Sequence, residues 1–161
     1  IMAILAVLVL AGGGAFAVLK FVLQPGEGTV AQPETPPKSA LQQAREHLAG
    51  NGEPEAGLTL AKRLREQESG ADAAFLLAED AAQKGNAEAM LMTGGYYDPS
   101  DSAPGGSIEK DPSQALEWYD KALAAGHTDA KARLDALRAW AEGEAAKGSE
   151  PAKELLKKFT P

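Results

Sequence analysis

The chain of 161 residues contains no cysteine, which excludes disulfides, thiolate metal sites and cysteine nucleophiles. Aromatic residues make up only 6 %, so a core must be assembled mainly from alanine and leucine, as in close-packed helices. Cations are outnumbered: 16 lysines and arginines face 23 carboxylates, a net charge of −7. A general nucleic-acid binder needs a basic surface to displace counterions from phosphates, and this balance argues against one. Sustained alternation of β-branched and polar residues is also lacking, so strands are not expected.

Catalytic and metal-binding signatures are equally scarce. The two histidines, His47 and His127, are far apart and belong to no metal-ligand spacing. The stretch "DPSDSAPGGSIEKD" at 98–111 carries several carboxylates but lacks the ordered ligands and closing glutamate of a calcium loop. There is no G-x-S-x-G, phosphate-binding loop or carboxylate pair on one helix face; Glu142 and Glu144, two apart, point to different faces. The sequence predicts no enzyme, no catalytic, metal or cofactor-binding residues, no small-molecule substrate and no nucleic-acid partner.

What is present falls into three parts. Residues 1–23, "IMAILAVLVLAGGGAFAVLKFVL", are apolar except for Lys20. Roughly 20 such residues cross a ~30 Å hydrocarbon core, so the composition predicts a transmembrane helix and a bilayer partner. A cleaved signal peptide is the rival, but the run exceeds the usual apolar length and no small-x-small site follows cleanly. Within it, Gly12, Gly13, Gly14 and Ala17 are small enough to admit a second membrane helix at close range. Residues 24–38 are rich in proline and glycine and predict an extended spacer.

Residues 39–161 carry helical periodicity. Leu41, Ala44 and Leu48 share a face, as do Leu60, Ala61 and Leu64, and Ala152, Leu155, Leu156 and Phe159. "DPSQ" at 111–114 predicts a helix start with Asp111 as N-cap, Pro112 at the first helical position and Gln114 closing a capping box. About seven helices, all-α, are expected. A shift of 41 residues aligns Gly85 with Gly126 and Ala89 with Ala130. It also sets Ala115, Leu116, Trp118, Tyr119, Ala122 and Leu123 against six apolar residues between Ala74 and Ala82. A glycine followed four residues later by alanine recurs at Gly52/Ala56 and Gly148/Ala152. Each is expected to be a corner where a helix ends in a left-handed glycine and the next begins with a small buried residue. Four corners are a solenoid pattern.

"GNAEAMLMTGGYY" followed by "DPSQALEWYDKALAAGHTDAKARL" resembles the Sel-one-like repeat, a branch of the tetratricopeptide-like α-solenoids. The matching positions are Gly85, Ala87, Ala89, Gly94, Tyr97, Ile108, Asp111, Ala115, Trp118, Tyr119, Lys121, Ala122 and Gly126, with Ala130 opening the next unit. Thr93 replaces a leucine, the loop after Tyr97 is longer than the family's, and the next unit has Asp135 and Arg138 in place of glycine and tyrosine. The resemblance implies a protein-binding solenoid, with Trp118 and Tyr119 as packing residues. Together with the apolar segment it implies a single-pass scaffold or accessory subunit in a bacterial inner-membrane complex, its domain in the periplasm. A free-standing tethered adaptor and a protein acting on cell-wall glycan are the alternatives.

Overall fold

The computed structural model describes residues 37–103 and 105–159. These form seven helices, with no strand among the described residues: α1 (Ala40–Ala49), α2 (Pro54–Arg65), α3 (Ala71–Gln83), α4 (Ala87–Tyr97), α5 (Pro112–Ala124), α6 (Ala130–Ala146) and α7 (Glu150–Lys158). Each helix packs on the next, and α1 also reaches α3. Contacts between chain neighbours dominate, as expected when short amphipathic helices cannot bury their apolar stripes alone.

The expected architecture needs correction in its membrane part. No helix among the described residues is long and apolar enough to cross a membrane. The longest, α6, has 17 residues and so spans only about 25 Å. It also carries Lys131, Arg133, Asp135, Arg138, Glu142 and Glu144. Residues 1–23, with Gly12, Gly13, Gly14 and Ala17, and nearly all of the 24–38 spacer lie outside the described residues. The single-pass inner-membrane placement and the periplasmic domain depended on that span, and both are withdrawn. The bilayer loses its support as a partner on the same finding.

The core follows the composition. Around α1–α4, Ala44, Ala61, Leu64, Phe75, Leu77, Ala78 and Tyr96 are buried together. Around α5–α7 the buried set is Ala115, Leu116, Tyr119, Leu137, Ala141 and Leu155. Leu58, Leu64, Leu77, Leu137 and Leu155 are at most 1 % exposed, and each such burial is worth about 1.5–3 kcal/mol. The six apolar residues of α3 read as core from the shift are all buried. Their counterparts differ at two points: Trp118 is half-buried and Leu123 is 40 % exposed. Leu41, also placed on a buried face by periodicity, is 38 % exposed.

The corners are closed by backbone hydrogen bonds. Gly85, Gly126 and Gly148 have φ of +94°, +92° and +98°. At each, the glycine N–H and the next N–H bond back across the helix end; at the first, Gly85 N donates to Ala82 O and Asn86 N to Ala81 O, both at 3.0 Å. This is the paired 5→2 and 6→1 closure that needs a left-handed residue. Asn86 then caps α4, its Oδ1 accepting from Ala89 N at 2.8 Å, so one residue ends a helix and starts the next. Ala89, Ala130 and Ala152 are buried behind these turns.

The first corner is built differently from the expected one. Its left-handed residue is Asn51, φ +48°, not Gly52, and Ala56 is exposed. The imidazole of His47 fills the corner instead. A Cβ on Gly52 would lie 2.2 Å from its Cε1, and one on Gly57 3.0 Å from its Nε2. Two glycines therefore make room for a ring where the other corners seat an alanine.

Candidate interaction groove

Two helices contribute a stripe each to a shared cavity that a third helix and a loop complete. Lys62 and Arg65 of α2 and its C-capping Glu66 lie at i, i+3 and i+4, and Glu88, Leu91, Met92 and Gly95 at i, i+3, i+4 and i+7 on α4. Arg133 of α6 and Asp101 of the α4–α5 loop complete a groove of about 390 Å³. Its lining mixes three cations, three carboxylates and an apolar patch of Leu91 and Met92.

The loop wall of this groove hangs on Asp98, which is fully buried. Its Oδ1 accepts from Ser100 N at 2.7 Å and from Ser100 Oγ at 2.6 Å, and its Oδ2 accepts from the Tyr119 hydroxyl at 2.8 Å. Three donors offset the cost of removing a carboxylate from water. Burial, foremost, and then the adjoining Asp98 carboxylate push the Tyr119 hydroxyl well above the ordinary phenol range. Tyr119 can lie there because position 94 is glycine: a Cβ on Gly94 would sit 2.5 Å from its Cε1. Forty-one residues on, Asp135 is exposed on α6 and pairs with Lys131 at 3.0 Å.

From Asp98 the chain turns directly into the groove. Asp101 Oδ1 accepts from Ala103 N at 2.9 Å, and Oδ2 accepts from Arg133 at 3.1 Å. Further along, Ser107 N donates to Asp72 Oδ1 at 2.6 Å, tying the loop to the first turn of α3. On the opposite wall, Lys62 pairs with Glu88 at 2.6 Å; both are about half exposed, a geometry worth under about 1 kcal/mol.

Arg65 is held in another way. It is the last residue of α2, where unfilled carbonyls favour a cation, and its guanidinium lies 5.1 Å from the centre of the Tyr96 ring. That ring is itself fixed: its hydroxyl donates to Ala71 O at 3.1 Å, and its edge meets Phe75 at 5.2 Å. Burial pushes the Tyr96 hydroxyl up to about 12, with Arg65 acting the other way and Asp72 adding to the rise.

The residues singled out from the sequence mostly support this site without facing it. Gly85 and Gly126 make corners, Ala89 and Ala130 sit behind them, and Ala115 and Ala122 are fully buried in α5. Tyr97 packs edge-on against Phe75 at 5.7 Å, burial raising its hydroxyl pKa, and its carbonyl accepts from Asp111 N at 2.9 Å. Asp111 caps α5 through Ser113 N and Gln114 N. Gln114 reaches the Asp111 carboxylate at 3.1 Å, not its backbone N–H as a reciprocal capping box would require. Trp118 packs half-buried on the core at α3 and α4, with Lys121 Nζ 4.4 Å above its ring. Gly94 and Tyr119 back the groove wall. Among the described residues, no group of histidines and carboxylates could hold a metal ion. A second cavity, about 670 Å³, lies beside His47, Glu55 and Arg63.

Sequence reasoning missed Asp98 and the groove. Asp98-Pro99-Ser100 repeats the Asp-Pro-Ser of the α5 cap, and the 88, 91, 92, 95 spacing marks one face of α4. Both signals were available.

No family model matches the chain, and no solved structure matches it. Over 93 residues, 55 % of the chain, it is 38 % identical to chitin synthase regulatory factor 4 of Schizosaccharomyces pombe. The match spans 13 % of that protein's length, and it is to a fungal protein, not a bacterial envelope component.

Proposed function

We propose that this chain is a non-enzymatic protein-interaction module, a Sel-one-like solenoid that holds a segment of a partner protein in the groove between α2, α4 and α6. The observation that carries the reading is the convergence of Leu91 and Met92 with charged side chains from α2, α4, α6 and the α4–α5 loop on one cavity. Concave, partly apolar sites with a few fixed polar groups are the usual form of a binding surface. The resemblance of residues 85–134 to a protein-binding repeat agrees with this. So does the similarity to a protein whose name makes it a regulatory factor. The groove belongs to a scaffold or adaptor that brings other proteins together.

A photo-crosslinking residue tests the reading in cells that make the full chain. Placed at Leu91 in the groove, it should yield a discrete protein adduct, and at exposed Leu123 of α5 it should not. Equal adducts from both positions, or none from Leu91, would remove the groove as the interaction surface.

A further inference from the structure

Of the three cations in the groove, two are already engaged: Lys62 by Glu88 and Arg133 by Asp101. The guanidinium of Arg65 has no hydrogen bond or ion pair to any described residue. It is half-buried, lies over the face of a fixed ring, and shares the cavity with Leu91 and Met92. A guanidinium is never deprotonated, presents five donors in a planar fork, and matches a carboxylate with two parallel hydrogen bonds. Stacking on Tyr96 holds the fork before any ligand arrives, so little rotamer freedom remains to be lost on binding.

We infer that Arg65 reads an aspartate or glutamate side chain of the partner segment, with an adjoining apolar side chain seated on Leu91 and Met92. This rests on the groove being the interaction surface. The carboxylates of Glu66, Glu88 and Asp101 on the same walls select for a singly charged group. Their repulsion grows with the ligand's charge, which disfavours a dianionic phosphate. The formal charges of the lining cancel, three against three, and Arg65 is the one cation among them left without a hydrogen bond or ion pair to a described residue, beside an apolar floor. An acidic residue next to leucine, methionine or phenylalanine matches that arrangement.

The test is selection of a displayed random peptide library, with its peptide C-termini blocked by fusion, on the full chain. Wild type should enrich peptides with Asp or Glu within two positions of a large apolar residue. Arg65→Gln should lose the acidic preference while keeping the apolar one, and Arg65→Lys should recover it only in part, because an ammonium lacks the fork. Isolated peptides should bind wild type at least tenfold more tightly than Arg65→Gln, with both proteins fully folded at the binding temperature and the variant's melting midpoint lowered only slightly by loss of the Tyr96 contact. Enriched peptides that compete at the groove without an acidic residue would overturn the role of Arg65 and leave the groove reading standing. Peptides whose binding is indifferent to Met92→Asp would overturn the groove reading itself, and this inference with it.

Discussion

Asp98-Pro99-Ser100 and Asp111-Pro112-Ser113 are the same tripeptide, and they begin in the same way. Each aspartate accepts a hydrogen bond from the serine N–H two residues on, at 2.7 Å and 2.9 Å. They then diverge. After Ser113 come Gln114, Ala115 and Leu116, helix formers with apolar groups at the spacing α5 needs. Asp111 thus remains a partly exposed cap, and hydrogen bonding, first from the Gln114 side chain, holds its carboxyl below the ordinary range. After Ser100 come Asp101, Ser102 and Ala103, then two glycines at 105 and 106, and no helix is formed there. Asp98 offers its second oxygen to Tyr119 and is drawn fully inside. The local motif fixes one turn; the residues C-terminal to it decide between a helix cap and a buried anchor.

The two aspartates should therefore respond differently to the same substitution. Asp98→Ala would leave the buried Tyr119 hydroxyl and Ser100 N–H without their acceptor, and should destabilise the domain by about 3 kcal/mol. Denaturant unfolding would measure it, and a loss below that from Asp111→Ala would break the distinction. Gly94→Ala should come next, at about 2 kcal/mol, because its methyl must displace the Tyr119 ring from Asp98. Asp111→Ala should cost about 1 kcal/mol, the ordinary value of an N-cap. Its folded pKa is depressed, so its contribution is present above the unfolded carboxylate pKa and fades as pH falls through the folded value. An acid titration of stability that is steeper in wild type than in Asp111→Ala would record this.

The smallest effect concerns alkali. Tyr96 and Tyr119 both ionise at higher pH folded than unfolded, so stability should be full below about pH 10 and decline above it, as the unfolded chain loses protons first. Tyr119→Phe, already weaker at neutral pH, should show a shallower decline between about pH 10 and 12. An unchanged slope would mean that the Tyr119 hydroxyl lacks the buried setting beside Asp98 that raises its pKa.

The helices were legible because their signals are local. The alanine and leucine periodicity of α3, the proline and aspartate at the start of α5 and the glycines at three corners each act within one turn. Asn51 was not, because asparagine and glycine both accept the left-handed region and the sequence places them side by side. The packing role of His47 was hidden too, since nothing in its own helix reveals that Gly52 and Gly57 make room for its ring. Tyr119 was legible as core through the repeat resemblance, whereas its partner Asp98 sits 21 residues earlier in a loop that reads as solvated. The groove required the register of α2 against α4 and α6, which no single-helix pattern contains. Residues 1–23 show the opposite hazard: an apolar run read by composition alone carried a cellular placement that the described helices do not support.

The loop anchored by Asp98 walls a groove suited to receive a partner segment, and on this both the anchor and the proposed function depend. Methionine methyl NMR tests it directly, because Met90 and Met92 of α4 both pack on the core of Leu58, Ala81, Ala82 and Ala89, and of the two Met92 also lines the groove. On titration with an acidic–apolar peptide from the library, the Met92 methyl should shift saturably while Met90 stays in place, and Asp98→Ala should weaken that response. A Met90 shift without a Met92 shift, or no shift at saturating peptide, would contradict the groove's role.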